Sequence, residues 1–215
     1  MKRCCAWIAL IAAAAAATVF TSSEPVRATH GMVVSQEAAA SKIGVDVLRD
    51  GGTAVDAAVA TAFALSVVYP TAGNIGGGGF IVFRPASGDP VAYDFREKAP
   101  AAATPTMFLR DGKYDPVRHH GSHLSVGVPG TVAGLHLAWK AHGTLPWKRL
   151  VEPAIALAQR GFPLTDALAS SLARALPSMK AYPASVAQYS KNGVPYEAGE
   201  VLAQPDLART LGRIA

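Results

Sequence analysis

Gly73-Asn74-Ile75-Gly76-Gly77-Gly78-Gly79-Phe80-Ile81-Val82-Phe83 is the stretch on which the fold turns. A glycine-dense connection runs into four β-prone residues, and a second run, Val91-Ala92-Tyr93-Asp94-Phe95, follows after Ser87-Gly88-Asp89. Two β-rich runs around a glycine turn predict a hairpin. Upstream the period changes: Ala38, Ala39, Ile43 and Val47 recur at helical spacing, with Ser35 as a candidate cap and Gly51-Gly52 as a stop. A second helix is predicted from Ala54, with Asp56 in its first turn, through Val59, Phe63 and Val67 to Pro70. Being apolar on nearly every side, it belongs in a core. The two helices form a helical layer.

Downstream of the hairpin, residues 101–123 are rich in Ala, Pro, Asp and His and read as a loop, with a short turn at Phe108-Leu109-Arg110-Asp111-Gly112-Lys113. Helices are predicted for Thr131 to His142, ending at Gly143, and for Trp147 to Arg160, ending at Gly161. Thr165-Asp166 is placed to cap a third helix reaching about Leu176. A fourth, from Pro205 or Asp206, is still running at Ala215 without a cap or polar tail. There is no internal repeat and no clear interdomain linker.

The candidate site lies where the second strand ends, in Asp94-Phe95-Arg96-Glu97-Lys98-Ala99-Pro100. Arg96 offers a planar fork of donors that fits a carboxylate in bidentate fashion, and Glu97 is placed to orient it or to meet a substrate ammonium. Other chemistries fit less well. The glycine run lacks a following Lys-Ser/Thr, does not fall as Gly-x-Gly-x-x-Gly, and precedes a strand rather than a helix, so it is not a phosphate loop. Close packing of backbone against the strands is the better account. His119, His120 and His123 cluster, but Pro116 and Gly121 argue against a helix that would align them, and no acidic or Cys partner sits at ligand spacing, so no metal is expected. Ser122 and Ser125 lie near His123 without a Gly-x-Ser-x-Gly elbow.

Composition bounds the class. Half of the 215 residues are hydrophobic, enough for a sizeable core. Aromatic content is 7%, whereas glycine and alanine are abundant, which suits closely packed helices and backbone-rich turns. Residues 1–28 follow a secretory pattern: Lys2 and Arg3, an apolar run from Cys4 to Phe20, and Val26-Arg27-Ala28 before the expected cleavage. The run is short for a membrane span, so a stable anchor is the lesser alternative. Export to the periplasm or the extracellular space follows. Both cysteines, Cys4 and Cys5, lie in this segment, so the processed chain, 29–215, has no disulfide, thiolate metal site or cysteine nucleophile. Removing Lys2, Arg3, Arg27 and Glu24 from 20 basic and 15 acidic residues leaves a net charge of +3. The basic residues are scattered, with no stripe that would mark a nucleic-acid surface.

Taken in order, Gly44-Val45-Asp46-Val47-Leu48 leading to Gly51-Gly52, Ala54-Val55-Asp56-Ala57-Ala58, the Gly73 to Phe80 run, the Asp94 to Pro100 stretch and Pro129-Gly130-Thr131-Val132-Ala133-Gly134 closely resemble the large subunit of gamma-glutamyltranspeptidase, or glutathione hydrolase. The likeness covers roughly residues 30–215. It implies the N-terminal nucleophile hydrolase architecture, an α+β fold in a four-layer αββα sandwich that is incomplete in this chain, which supplies one helical layer and part of the sheets. It also implies a zymogen that cuts itself into two subunits, the smaller of which begins with the threonine nucleophile. That threonine is expected beyond residue 215, since no matching motif follows the leader; Thr29-His30 lies at the leader junction. No catalytic residue is therefore assigned here. Arg96 matches the arginine that binds the α-carboxylate of the γ-glutamyl group, with Asp94 and Glu97 as possible supports. No metal or organic cofactor is implied. The implied partners are glutathione or another γ-glutamyl compound and the small subunit, and the chain alone is expected to be inactive. Two alternatives stand: a cephalosporin or glutaryl acylase of the same fold, and a non-catalytic remnant or a large subunit needing a separate partner.

Overall fold

The computed structural model describes residues 25–215. The apolar run of the expected leader lies outside the described residues, whereas residues 25–31 are exposed and carry no helix or strand. Met32–Ala215 is a compact unit of its own. Among the described residues no helix is long and apolar enough to cross a membrane.

The larger unit is built around α2 (Ala54–Val68). Its fifteen residues include eleven that are buried, among them Val59, Phe63 and Val67, as an all-round apolar helix requires. Against it pack α1 (Ala38–Arg49), α4 (Thr131–His142) and α5 (Trp147–Arg160), and α8 (Pro205–Ile214) covers α5. Gly44 lets α1 approach α2 closely, because a β-carbon there would run into Thr61 Oγ1. The edge of the Phe63 ring meets Trp147 at 5.4 Å between centroids, and Trp147 Nε1 donates to Ile214 O (2.9 Å), tying the end of α8 into the core.

The predicted hairpin is present as β1 (Phe80–Phe83) and β2 (Val91–Asp94), antiparallel with Phe80 opposite Asp94 and Phe83 opposite Val91. Ile81, Phe83 and Tyr93 face the helices. Phe80 and Val82, on the other face, are 65% and 79% exposed. Two smaller sheets pair β3 (Leu109–Arg110) with β4 (Lys113–Tyr114), and β5 (Phe162–Pro163) with β6 (Val201–Leu202). The chain is α+β, as expected; of the stacked sheets that the resemblance implies, the exposed-faced hairpin is the contribution visible among the described residues.

Several local expectations need correction. Ser35 does not cap α1; its hydroxyl donates to Glu37 O, and Glu37 takes the cap position without a side-chain bond. The loop at 101–123 contains a short helix, α3 (Pro116–His120). Proline does not oppose it, because Pro116 occupies the first turn, where its missing N–H would go unused. Asp115 caps it by accepting from Val117 N and Arg118 N, and these bonds, that from Arg118 foremost, hold its carboxyl below the usual carboxylate value against the cost of burial. The remaining helices, α6 (Asp166–Met179) and α7 (Pro183–Tyr189), run longer than expected and unforeseen, respectively.

Candidate functional site

The three candidate residues stand together just where β2 ends. Asp94 is its last residue, Arg96 N donates to Asp94 Oδ1 (3.0 Å), and Arg96 Nε lies 3.8 Å from Glu97 Oε1. That last separation is an ion pair but too long for a hydrogen bond. The Arg96 side chain is 70% exposed, and among the described residues its guanidinium makes no hydrogen bond. The fork is free to take a carboxylate in two parallel bonds.

The backbone that carries it is, by contrast, closely held. Phe95 N donates to Gly79 O (3.1 Å), and Lys98 exchanges both backbone bonds with Val128 (3.2 and 2.8 Å). Gly77 O accepts from Gly130 N (2.7 Å) and Thr131 N (3.1 Å). Asn74 Oδ1 in turn accepts from Gly77 N (2.7 Å) and Thr131 Oγ1 (3.2 Å), so one side chain pins the glycine run to the start of α4. The glycines are where backbone meets backbone. A β-carbon on Gly78 would lie 2.6 Å from both Arg96 Cα and Phe95 O; on Gly127, 3.1 Å from Glu97 Cγ; on Gly130, against Phe95 O; and on Gly134, inside the Phe95 side chain. No alanine fits these places without displacement. Glycine within a helix costs about 1 kcal/mol relative to alanine, so Gly134 needs a local reason, and contact with Phe95 supplies one. A cavity of about 230 Å³ lies behind, lined in part by Phe95, Gly78, Thr131 and Leu135.

The hairpin is also moored from below. Tyr93 OH bonds His142 Nε2 (2.7 Å), and the Phe83 ring lies against that of His142, 4.4 Å between centroids and tilted by 39°. His142 O accepts from Thr53 Oγ1 (3.0 Å), and Thr53 forms a capping box with Asp56 at the start of α2. Asp56 is fully buried, yet its carboxylate accepts from Thr53 N and Oγ1 and from Thr144 N and Oγ1 at 2.8–3.2 Å. Burial alone would raise its pKa; the combined hydrogen bonds outweigh that and lower it.

The expected closeness of backbone around the glycine run is therefore found, and its target is Phe95–Lys98. Gly130 and Gly134 were visible as part of a motif, but their contact with Phe95 was not; a glycine inside the helical period of α4 was the available signal. Among the described residues, no group of three or more His, Cys, Asp or Glu side chains is arranged to hold a metal. His119 Nδ1 and His120 Nε2 both bond Tyr114 OH (2.8 and 3.1 Å). The serines near His123 are bonded to backbone carbonyls: Ser122 Oγ to Arg118 O and Ser125 Oγ to Ser122 O.

A profile of the gamma-glutamyltranspeptidase family matches residues 40–215. The chain belongs to that family. A glutathione hydrolase proenzyme of Escherichia coli strain K12 is 48% identical over 196 residues, 89% of this chain and 33% of the E. coli protein. The structure superimposes on gamma-glutamyltranspeptidase of Helicobacter pylori with a TM-score of 0.85 and 44% identity, covering 88% of this chain and 55% of the other. Cephalosporin acylase of Bacillus halodurans is also similar, at a TM-score of 0.74 and 28% identity, over 91% of this chain and 38% of the acylase. The chain thus spans about a third of the length of the E. coli relative. Within the gamma-glutamyltranspeptidase family, the α+β fold read from the sequence is the fold found.

Proposed function

We propose that residues 29–215 are the donor-recognition portion of an exported gamma-glutamyltransferase, or glutathione hydrolase, with residues 1–28 as its leader. The observation that carries this reading is Arg96: a 70% exposed guanidinium, free of hydrogen bonds among the described residues, on closely packed backbone at a strand end. In this reading Arg96 takes the donor α-carboxylate in a bidentate pair, and Glu97, supported by Asp94, faces the α-ammonium. That orientation delivers the γ-carbonyl to a threonine at the start of a small subunit, encoded beyond residue 215 and released when a single precursor cuts itself. The threonine hydroxyl attacks with its own α-amino group, or a water, as base. The γ-glutamyl group passes to the threonine oxygen, the rest of the donor leaves as an amine, and water or an amino acid then takes the acyl group. No step requires a metal or cofactor. Without the threonine, residues 29–215 alone are inactive.

The test is Arg96→Ala in the complete self-processing precursor. A bidentate charge-assisted contact is worth about 3 kcal/mol, so kcat/KM for a γ-glutamyl anilide is expected to fall about 100-fold. A fall of less than threefold would remove Arg96 from the donor site. A glutaryl anilide keeps the carboxylate and lacks the ammonium; preference for it over the γ-glutamyl donor would favour the acylase reading. Absence of any threonine-initiated subunit from the native gene product would favour a non-catalytic chain.

A further inference from the structure

Resting on the reading of Arg96 as the donor-carboxylate ligand, we propose that Gly134 is a positioning residue for donor recognition, acting through Phe95. The ring of Phe95 is seated between two glycines. A β-carbon added to Gly134 would overlap Phe95 Cβ, Cγ and Cδ1, and one added to Gly79 would come within 2.9 Å of Phe95 Cε2. Phe95 and Arg96 are adjacent, and the backbone of the same short segment is in close contact with both Gly78 and Gly130. With the ring held inward by Gly134, the backbone at Arg96 has one course, and its side chain leaves toward solvent.

Helix α4 would itself be better served by alanine at position 134, because glycine in a helix interior carries an entropic cost. The position is buried and belongs to no turn, so helix geometry does not call for it. What it provides is a notch that matches one aromatic ring. The cavity lined by Phe95 and Leu135 offers that ring somewhere to go when the notch is filled. Alanine at 134 therefore shifts Phe95 rather than unfolding the helix, and Arg96 shifts with it. A misplacement on the scale of an ångström at a bidentate pair is enough to weaken it greatly, since the fork must meet both carboxylate oxygens.

The discriminating readout is a ratio: kcat/KM for a γ-glutamyl anilide divided by kcat/KM for the 4-aminobutanoyl anilide, which keeps the amine and the scissile bond but has no α-carboxylate. Loss of folded or matured enzyme lowers both values and leaves the ratio unchanged; displacement of Arg96 lowers the ratio. In the complete precursor, Gly134→Ala is expected to lower it about 10-fold and Gly134→Ala with Phe95→Leu to return it to within about threefold of the unmodified protein, the smaller side chain matching the narrower notch. If Gly134→Ala prevents maturation, Phe95→Leu alone is the test, with an expected loss of about fivefold in the ratio. A ratio unchanged within about twofold in whichever single variant matures, alongside a collapsed ratio in Arg96→Ala, overturns the role of Gly134 and leaves Arg96 standing. A ratio unmoved by Arg96→Ala overturns the underlying reading and this proposal with it.

Discussion

Asp56 and Arg96 are the two charged groups around which this chain is organised, and they are treated in opposite ways. Asp56 has no solvent exposure and takes hydrogen bonds from two threonines 91 positions apart in numbering, Thr53 and Thr144, on both backbone and side chain. Arg96 is 70% exposed, and among the described residues its guanidinium has a 3.8 Å ion pair with Glu97 and no hydrogen bond. A buried charge must be saturated to be tolerated. A recognition charge must keep its capacity open while its backbone is held. The glycines meet this second requirement, because they fix Phe95–Lys98 through main-chain contact and spend none of the donors of Arg96.

Removing each group in turn separates stability from activity most widely. Asp56→Ala discards the capping box of α2 and takes from the N–H and hydroxyl of Thr144 the acceptor they share. A loss of about 3 kcal/mol is expected in chemical denaturation. Arg96→Ala, at an exposed side chain, is expected to change stability by less than about 0.5 kcal/mol while its effect falls on activity. A large stability loss at Arg96, or a small one at Asp56, would mean that the division of labour is wrong.

The elements differ in how far they could be read from sequence, and the reason is range. Helices α1, α2, α4 and α5 and the β1–β2 hairpin declare themselves through local period and glycine punctuation, so they were legible. The β5–β6 pair was not. Phe162 faces Leu202 across some forty residues, in strands of two residues each, which show no alternation to detect. Helix α3 is only five residues long, and its proline stands in the first turn, so neither period nor punctuation announces it. In the site, Arg96, Asp94 and Glu97 are contiguous and were visible as a motif. The notch at Gly134 was not, because it joins Phe95 to a helix that begins 36 residues later. Asp56 was seen as a first-turn acid, but its larger role depends on Thr144, 88 residues away.

Acidification acts on the same buried carboxylate. Its pKa is lowered in the folded state, so folding favours the carboxylate. The unfolded chain binds that proton more readily, at about pH 3.9, and stability therefore rises with pH through this window. The contribution is fully present above about pH 4 and is lost as pH falls through the folded value below it. Asp56→Asn is expected to be less stable than the unmodified protein at neutral pH, with the gap narrowing on acidification below about pH 4. A gap that stays constant down to pH 2 would show that proton uptake at Asp56 is not linked to unfolding.

The smallest effect is expected one turn and a residue along the same helix. Thr61 is 7% exposed, and its Oγ1 is buried with no hydrogen-bond partner among the described residues. It lies where Gly44 lets α1 come close to α2. Thr61 thus shares a helix with Asp56 but lacks the saturation that makes Asp56 tolerable. Valine has nearly the same shape and no hydroxyl to desolvate, so Thr61→Val is expected to raise stability by about 1 kcal/mol. The gain depends on the hydroxyl being unpaired rather than on helix propensity, since threonine and valine rank closely in a helix interior. Thermal denaturation of Thr61→Val beside Thr61→Ala separates the two terms: alanine also removes the hydroxyl but leaves a void against Gly44 and Val33. A loss with valine would mean that this hydroxyl is paired in solution, and Asp56 would then no longer stand apart from its neighbour on α2.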